Sequence, residues 1–106
     1  MDVDLKVRPV PESGGTLIEA GVVSRYFSRL GVVAVAVQAG QTVKKNDIIQ
    51  FGGEGEKHFR VRNVSMERNR SPIETTTGPD HVGIETGCRA NQGTRVFIVS
   101  GLEAAA

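Results

Sequence analysis

The sequence predicts an all-β domain, an antiparallel barrel or sandwich of six strands. Three observations carry this. Leu30 to Val37 alternates large and small apolar residues, with Gly31, Ala34 and Ala36 set among Leu30, Val32, Val33, Val35 and Val37. That is the pattern of a strand buried on at least one face, with small residues where another backbone comes close. The other apolar runs are short and divided by regular Gly, Pro, Asn and Asp turn signals. No stretch holds a helical period for more than about one turn.

Taken in order, residues 1–15 are expected to be a flexible arm, because Pro9, Pro11, Ser13, Gly14 and Gly15 cut it off from the main apolar run. The barrel is expected over residues 16–100, and residues 101–106 are a short tail of small residues. Leu17–Phe27 is the first strand, and Gly21 inside it signals a bulge or a close approach. It forms a hairpin with Leu30–Val37 through the turn at Ser28–Gly31. Ala39, Gly40 and Gln41 make the next turn. Asn46, suited to a positive φ, precedes the short buried strand Ile48–Phe51. Gly52 to Glu56 is a polar loop. Phe59–Met66 is a strand with a charged side, Arg68–Pro72 a basic turn and Ile73–Pro79 an irregular connection. His81–Thr86 and Arg95–Val99 complete the set.

A chain of 106 residues is one domain by size and buries roughly two-thirds of its unfolded surface. Thirteen Lys and Arg against 12 Asp and Glu leave a net charge of +1, so no global field draws in nucleic acid or an anionic membrane. One cysteine, Cys88, with histidines only at 58 and 81, offers neither an internal disulfide nor zinc-ligand spacing. The first residues carry no signal-like apolar run, and no window approaches the ~18 apolar residues of a membrane span. A protein of the cytoplasm without a cofactor is expected.

Catalysis is not expected either. The glycines of GGEGEKHF lack the GxxxxGK[ST] spacing of a phosphate loop, and Glu54 and Glu56 stand where an anion would sit. His58, His81 and Cys88 carry no recognisable nucleophile and base motif. What rises above background is basic. Lys57, Arg60, Arg62, Arg68 and Arg70 fall close together, and on a strand Arg60 and Arg62 point to the same side, so that with Arg68 and Arg70 they extend a cationic stripe. Tyr26 and Phe27, beside Arg25 and Arg29, form a second patch in which one ring belongs to the core and the other is an exposed stacking platform.

Read together, VVSRYFSRLGVVAVAV, GQTVKKNDIIQFGG, HFRVRNVSMERNRSPIETTTGPDHVGI and QGTRVFIV resemble the β-barrel second domain of elongation factor Tu and related translational GTPases, and more closely the short stand-alone elongation-factor-like proteins made of that barrel. The likeness spans about Leu17 to Val99. It is carried by Gly40, Val43, Asn46-Asp47 and Ile48, then by Val64, Ser65, Met66, Gly78, Asp80, Val82, Gly83 and Ile84. The resemblance implies a closed six-stranded barrel without the GTPase part. In the family the barrel helps hold the aminoacyl end of tRNA, which would fall to Arg68. His81 stands where the family has an asparagine, and Ser65 where it has an acidic residue. The expectation is a non-catalytic binding module for RNA or ribosomal components. The alternative is a protein-interaction or self-associating barrel.

Overall fold

A computed structural model of the chain describes residues 10, 11 and 13–101. Most of the expected arm, residues 1–9 and 12, and the tail beyond 101 lie outside them. Ten strands run in chain order: β1 Thr16–Phe27, β2 Val32–Val37, β3 Thr42–Lys44, β4 Ile48–Phe51, β5 Phe59–Arg62, β6 Met66–Arg68, β7 Ser71–Pro72, β8 Thr75–Thr77, β9 Asp80–Glu85 and β10 Arg95–Ser100. Eight form one curled antiparallel sheet in the order β5-β4-β10-β1-β2-β9-β6-β7, and β3 pairs with β8 as a separate ribbon. No helix is present among the described residues, so none is long and apolar enough to cross a membrane.

The fold is therefore all-β and antiparallel, but the expected six-stranded closed barrel needs correction. The large sheet keeps two edges, β5 and β7, that do not pair with each other. The strand expected over 59–66 breaks at Asn63, whose side chain is fully buried. Asn63 N–H donates to the Asp47 carbonyl (2.8 Å), its carbonyl accepts from Asn46 N–H (2.7 Å), and its Nδ2 donates to the Lys44 carbonyl (3.0 Å). A residue whose backbone and side chain all turn toward the β3–β4 connection cannot continue a flat strand ladder. The expected irregular connection holds β8, because Thr75, Thr76 and Thr77 pair with Lys44, Val43 and Thr42. Val43 joins the core cluster, so this ribbon is a separate wall of the core.

The long β1 serves two partners, pairing with β10 over Thr16–Val22 and with β2 over Gly21–Phe27. The register shifts between Glu19 and Gly21 and again between Val23 and Arg25. Bulges bend a strand and re-aim its side chains, which lets one strand turn the corner between two partners. At Gly21 both sequence expectations hold, since a Cβ there would run into the Ala36 carbonyl oxygen. The β1–β2 hairpin forms as expected. Its turn spans Ser28–Gly31 as expected, with Gly31 at φ 64° and its N–H closing onto the Phe27 carbonyl (2.9 Å). Leu30, read as the start of the buried strand, is in that turn and 66% exposed.

Inside the sheet, Val33, Val35 and Val37 of β2 meet Ala20, Val23, Ile49, Phe51, Val82, Ile84 and Val96. On β4 and β10 the alternate residues Ile48, Gln50, Phe97 and Val99 are also buried, although strand alternation turns them to the opposite face. Those two strands are thus covered on both sides. Asn69 and Arg70, both at positive φ (51° and 66°), make the two-residue turn between β6 and β7. Positive φ at both central residues is what a type I′ hairpin turn requires.

Candidate nucleic-acid interface

The basic residues singled out in the sequence are distributed over different parts of the sheet. Arg60 and Arg62 share one side of β5, as alternation requires, while Phe59 and Val61 pack on the core. The Arg60 guanidinium is occupied: Nε donates to Gln50 Oε1 (2.8 Å), Nη1 to the Pro11 carbonyl (2.9 Å) and Nη2 to the Gly14 carbonyl (2.9 Å). Arg62 reaches the Asn46 carbonyl with Nη1 at 3.5 Å. Arg68 and Arg70 belong to the hairpin at the other edge of the sheet, so the four arginines do not follow one another along a single strand.

Arg68 is held by Asp80, with Nε 3.0 Å and Nη2 2.5 Å from Oδ2. Thr76 Oγ1 donates to the same oxygen, and His81 N–H donates to Asp80 Oδ1 (2.8 Å). The hydrogen bond from Arg68, followed by that from Thr76, holds the Asp80 carboxyl well below the usual carboxylate range, and Asp80 in turn raises Arg68. The two positions that the resemblance links to the tRNA end, Arg68 and His81, thus flank a carboxylate that already engages the arginine. Of the second patch, Tyr26 is the core-side ring, half-buried against the main cluster with the Arg89 guanidinium 5.6 Å over it. Phe27 is the exposed ring, with Arg25 4.9 Å above it.

The structure brings together a different set. The loop between β4 and β5 and the loop between β9 and β10 meet at one end of the sheet. Gly52, at φ 109°, donates its N–H to the Arg95 carbonyl (2.9 Å), and its carbonyl accepts from Gln50 Nε2 (2.7 Å). Glu56 turns back so that its Oε1 accepts from Gly53 N–H (2.6 Å) and lies 3.7 Å from Arg95 Nη2. The loop's own carboxylate therefore fills the position where a phosphate cradle would take its anion. A Cβ on Gly53 would meet the Arg95 guanidinium and the Glu56 carboxylate, the mobile ends of two side chains.

Three clefts adjoin along this loop. The middle one, about 450 Å³, is lined by Phe51, Lys57, His58, Phe59, Arg89, Ala90, Asn91 and Thr94. It shares Lys57 and Thr94 with a cleft of about 500 Å³ that runs past Arg95 and Gly52. It shares His58 and Phe59 with a cleft of about 470 Å³ that reaches Arg60 and Val10. The groove so formed carries Lys57, Arg89, Arg95 and Arg60, and among the described residues Glu56 is the one acidic residue along it. His58 Nδ1 donates to the Glu56 carbonyl (2.9 Å). Arg89 and Arg95 escaped the sequence reading because neither neighbours the basic cluster in the chain. The available signal was modest, a single Arg in the β9–β10 loop and a single Arg at the start of β10. Among the described residues no group of three or more His, Cys, Asp or Glu is placed to hold a metal ion.

No family model matches the chain, and no curated protein matches it. Among solved structures it is similar to the C-terminal domain of a Geobacillus thermoleovorans protein provisionally assigned as a U32 peptidase, with TM-score 0.66 and 14% identity over 76% of this chain and 91% of that one. The selenomethionine variant of the same domain matches with TM-score 0.65 and 15% identity, covering 74% and 96%. At such identities the likeness is one of fold alone, an all-β curled sheet shared by chains with little sequence in common.

Proposed function

We propose that this chain is a non-catalytic binding module, of the type of the elongation factor Tu second-domain barrel, that takes RNA or a ribonucleoprotein surface along the groove between the β4–β5 and β9–β10 loops. The observation that carries the reading is the charge of that groove. Lys57, Arg89 and Arg95 line it around Phe59, and Glu56, the one carboxylate along it among the described residues, is held by Gly53 N–H and Arg95. Cations along a groove track a phosphate backbone, and an aromatic ring between them serves any base as a stacking surface. The reading places the interface there rather than on Arg60 and Arg68, whose guanidinium groups are already bonded within the chain. A reducing, cytoplasmic setting suits the exposed thiol of Cys88. The structural neighbours are domains of a longer protein, and this chain is read likewise as a module that presents a ligand to other machinery.

The test is fluorescence anisotropy of labelled RNA across a salt series. Lys57→Gln with Arg89→Gln is expected to weaken binding and to flatten its salt slope by about two units, since each neutralised phosphate contributes roughly one. Equal affinity and slope for the wild type and the double variant would defeat the reading. A second reading, a protein-interaction or self-associating barrel, has its own observation: Ile18, Val22 and Phe27 of β1, and Leu30 in its turn, are exposed apolar side chains. It predicts dimers by light scattering that Leu30→Lys disperses, and indifference to RNA.

A further inference from the structure

We infer that the groove is built for a run of unpaired nucleotides that passes through it, with one base placed against Phe59, and not for a duplex. This rests on the RNA reading of the same groove and adds the form of the ligand. Three features of the site carry it.

The first is continuity. Among the described residues the middle cleft opens through Lys57 and Thr94 on one side and through His58 and Phe59 on the other, so it has an exit at each end. A site for a chain terminus closes on one side, whereas this one lets a strand continue past Arg95 in one direction and toward Arg60 in the other. The middle volume, about 450 Å³, lies in the ~300–1,000 Å³ range of sites that enclose one small ligand, the scale of a single nucleotide.

The second is the wall of that cleft. Phe59 stacks on Phe51 with ring centroids 5.0 Å apart and planes 18° from parallel. Phe51 is almost fully buried and Phe59 half-buried, so the outer ring has its plane fixed by the inner one and is still open to the cleft. A ring held in place loses little freedom when a base stacks on it.

The third is the chemistry around the ring. Lys57 and Arg89 supply charge for phosphates, and Arg89 is steadied by Asn91, whose Oδ1 accepts from Arg89 Nε at 3.1 Å. Thr94 adds a hydroxyl, and among the described residues no carboxylate lines the middle cleft. Bases in a duplex are stacked on each other and paired along their edges, so they cannot turn a face to Phe59. An unpaired base can. A purely electrostatic track would take both forms alike.

The experiment compares fluorescein-labelled oligouridine of about ten nucleotides with a blunt-ended RNA duplex of about ten base pairs, which has no unpaired base, at one salt concentration. Oligouridine is expected to bind the tighter although the duplex carries more charge, and Phe59→Leu, which keeps an apolar contact with Phe51, is expected to weaken oligouridine about tenfold while leaving the duplex unchanged. A second variant, Phe59→Trp, gives an optical readout should the leucine variant fold poorly: oligouridine quenches its indole emission and the duplex does not. Equal binding of the two RNAs, or an unquenched indole at saturation, overturns the inference and leaves a phosphate track. Binding to neither RNA overturns the RNA reading itself.

Discussion

Arg60 and Gln50 face each other across the β4–β5 pair, and the bond from Arg60 Nε to Gln50 Oε1 is 2.8 Å long. Gln50 is 2% exposed, so its oxygen has no water in place of that donor. The other two guanidinium nitrogens reach Pro11 and Gly14, so one side chain ties an edge strand to the segment leading into β1. Arg60→Ala is expected to lower stability by about 1–3 kcal/mol, the usual consequence of leaving a buried acceptor unmet. Arg60→Lys is expected to recover only part, because an ammonium lacks the planar fork that serves three separate acceptors. Urea unfolding midpoints check both, and an unchanged midpoint for the alanine variant would refute the tie.

That pair also shows where sequence reasoning stops. Period-two alternation put Arg60 and Arg62 on the side away from the core, correctly. It took that side for solvent, because alternation carries no information about a second layer over β4 and β10. The hairpin of β1 and β2, the strand at Ile48–Phe51, the positive φ at Asn46 and the need for Gly21 were all legible, being local properties of turn chemistry and residue size. The break at Asn63 and the β3–β8 ribbon were not. Both depend on pairings between segments distant in the chain. The groove was half legible: Lys57 stood out, but Arg89 and Arg95 join it only through the meeting of two loops.

Asn63 is the second test. Its Nδ2 meets the Lys44 carbonyl at 3.0 Å and Met66 Sδ at 3.5 Å within a buried site. Asn63→Ala is expected to cost about 1–3 kcal/mol by removing the hydrogen bond of the Nδ2 donor and leaving a gap at a fully buried side chain. Asn63→Asp is expected to cost more at neutral pH, because it replaces that donor with a charge that burial disfavours, and to recover in acid as the carboxyl takes up a proton. Unfolding curves at two pH values separate the cases.

Gly21→Ala addresses the close approach of β1 and β2. The added methyl would collide with the Ala36 carbonyl oxygen, which is itself part of the ladder. A loss of about 1–3 kcal/mol or more is expected, in line with forcing extra atoms into a packed site. A melting temperature equal to that of the wild type would show that the strands part without cost.

Val35 is fully buried on an interior strand, flanked by β1 and β9. Val35→Asp is expected to abolish folding, since an unpaired core charge costs several kcal/mol against a total of only ~5–15. An intact β-type circular dichroism spectrum with an unchanged melting point would contradict it.

Asp80 gives the pH dependence. Its folded carboxyl is held far below the ordinary value by Arg68 and Thr76, so the stabilisation is complete above pH ~4 and is lost as the pH falls toward the folded value. Wild type and Asp80→Asn are therefore expected to differ in melting temperature at neutral pH and to converge as the solution is acidified below pH ~4. The difference is small, as for other exposed ion pairs. A gap that stays constant down to strongly acidic solution would rule out this linkage.

The position of β10 sets the order in which the molecule can assemble during synthesis. It is the last strand among the described residues and lies between β4 and β1 in the sheet. Until Arg95–Ser100 has left the ribosome, β1-β2-β9-β6-β7 and β4-β5 are two fragments with no hydrogen bonds of the sheet between them. The nascent chain must wait, with the edges of β1 and β4 open to wrong partners. A ribosome stalled before Arg95 is therefore expected to carry a protease-sensitive chain, and one stalled well beyond Ser100 a resistant one, with little protection gained in between.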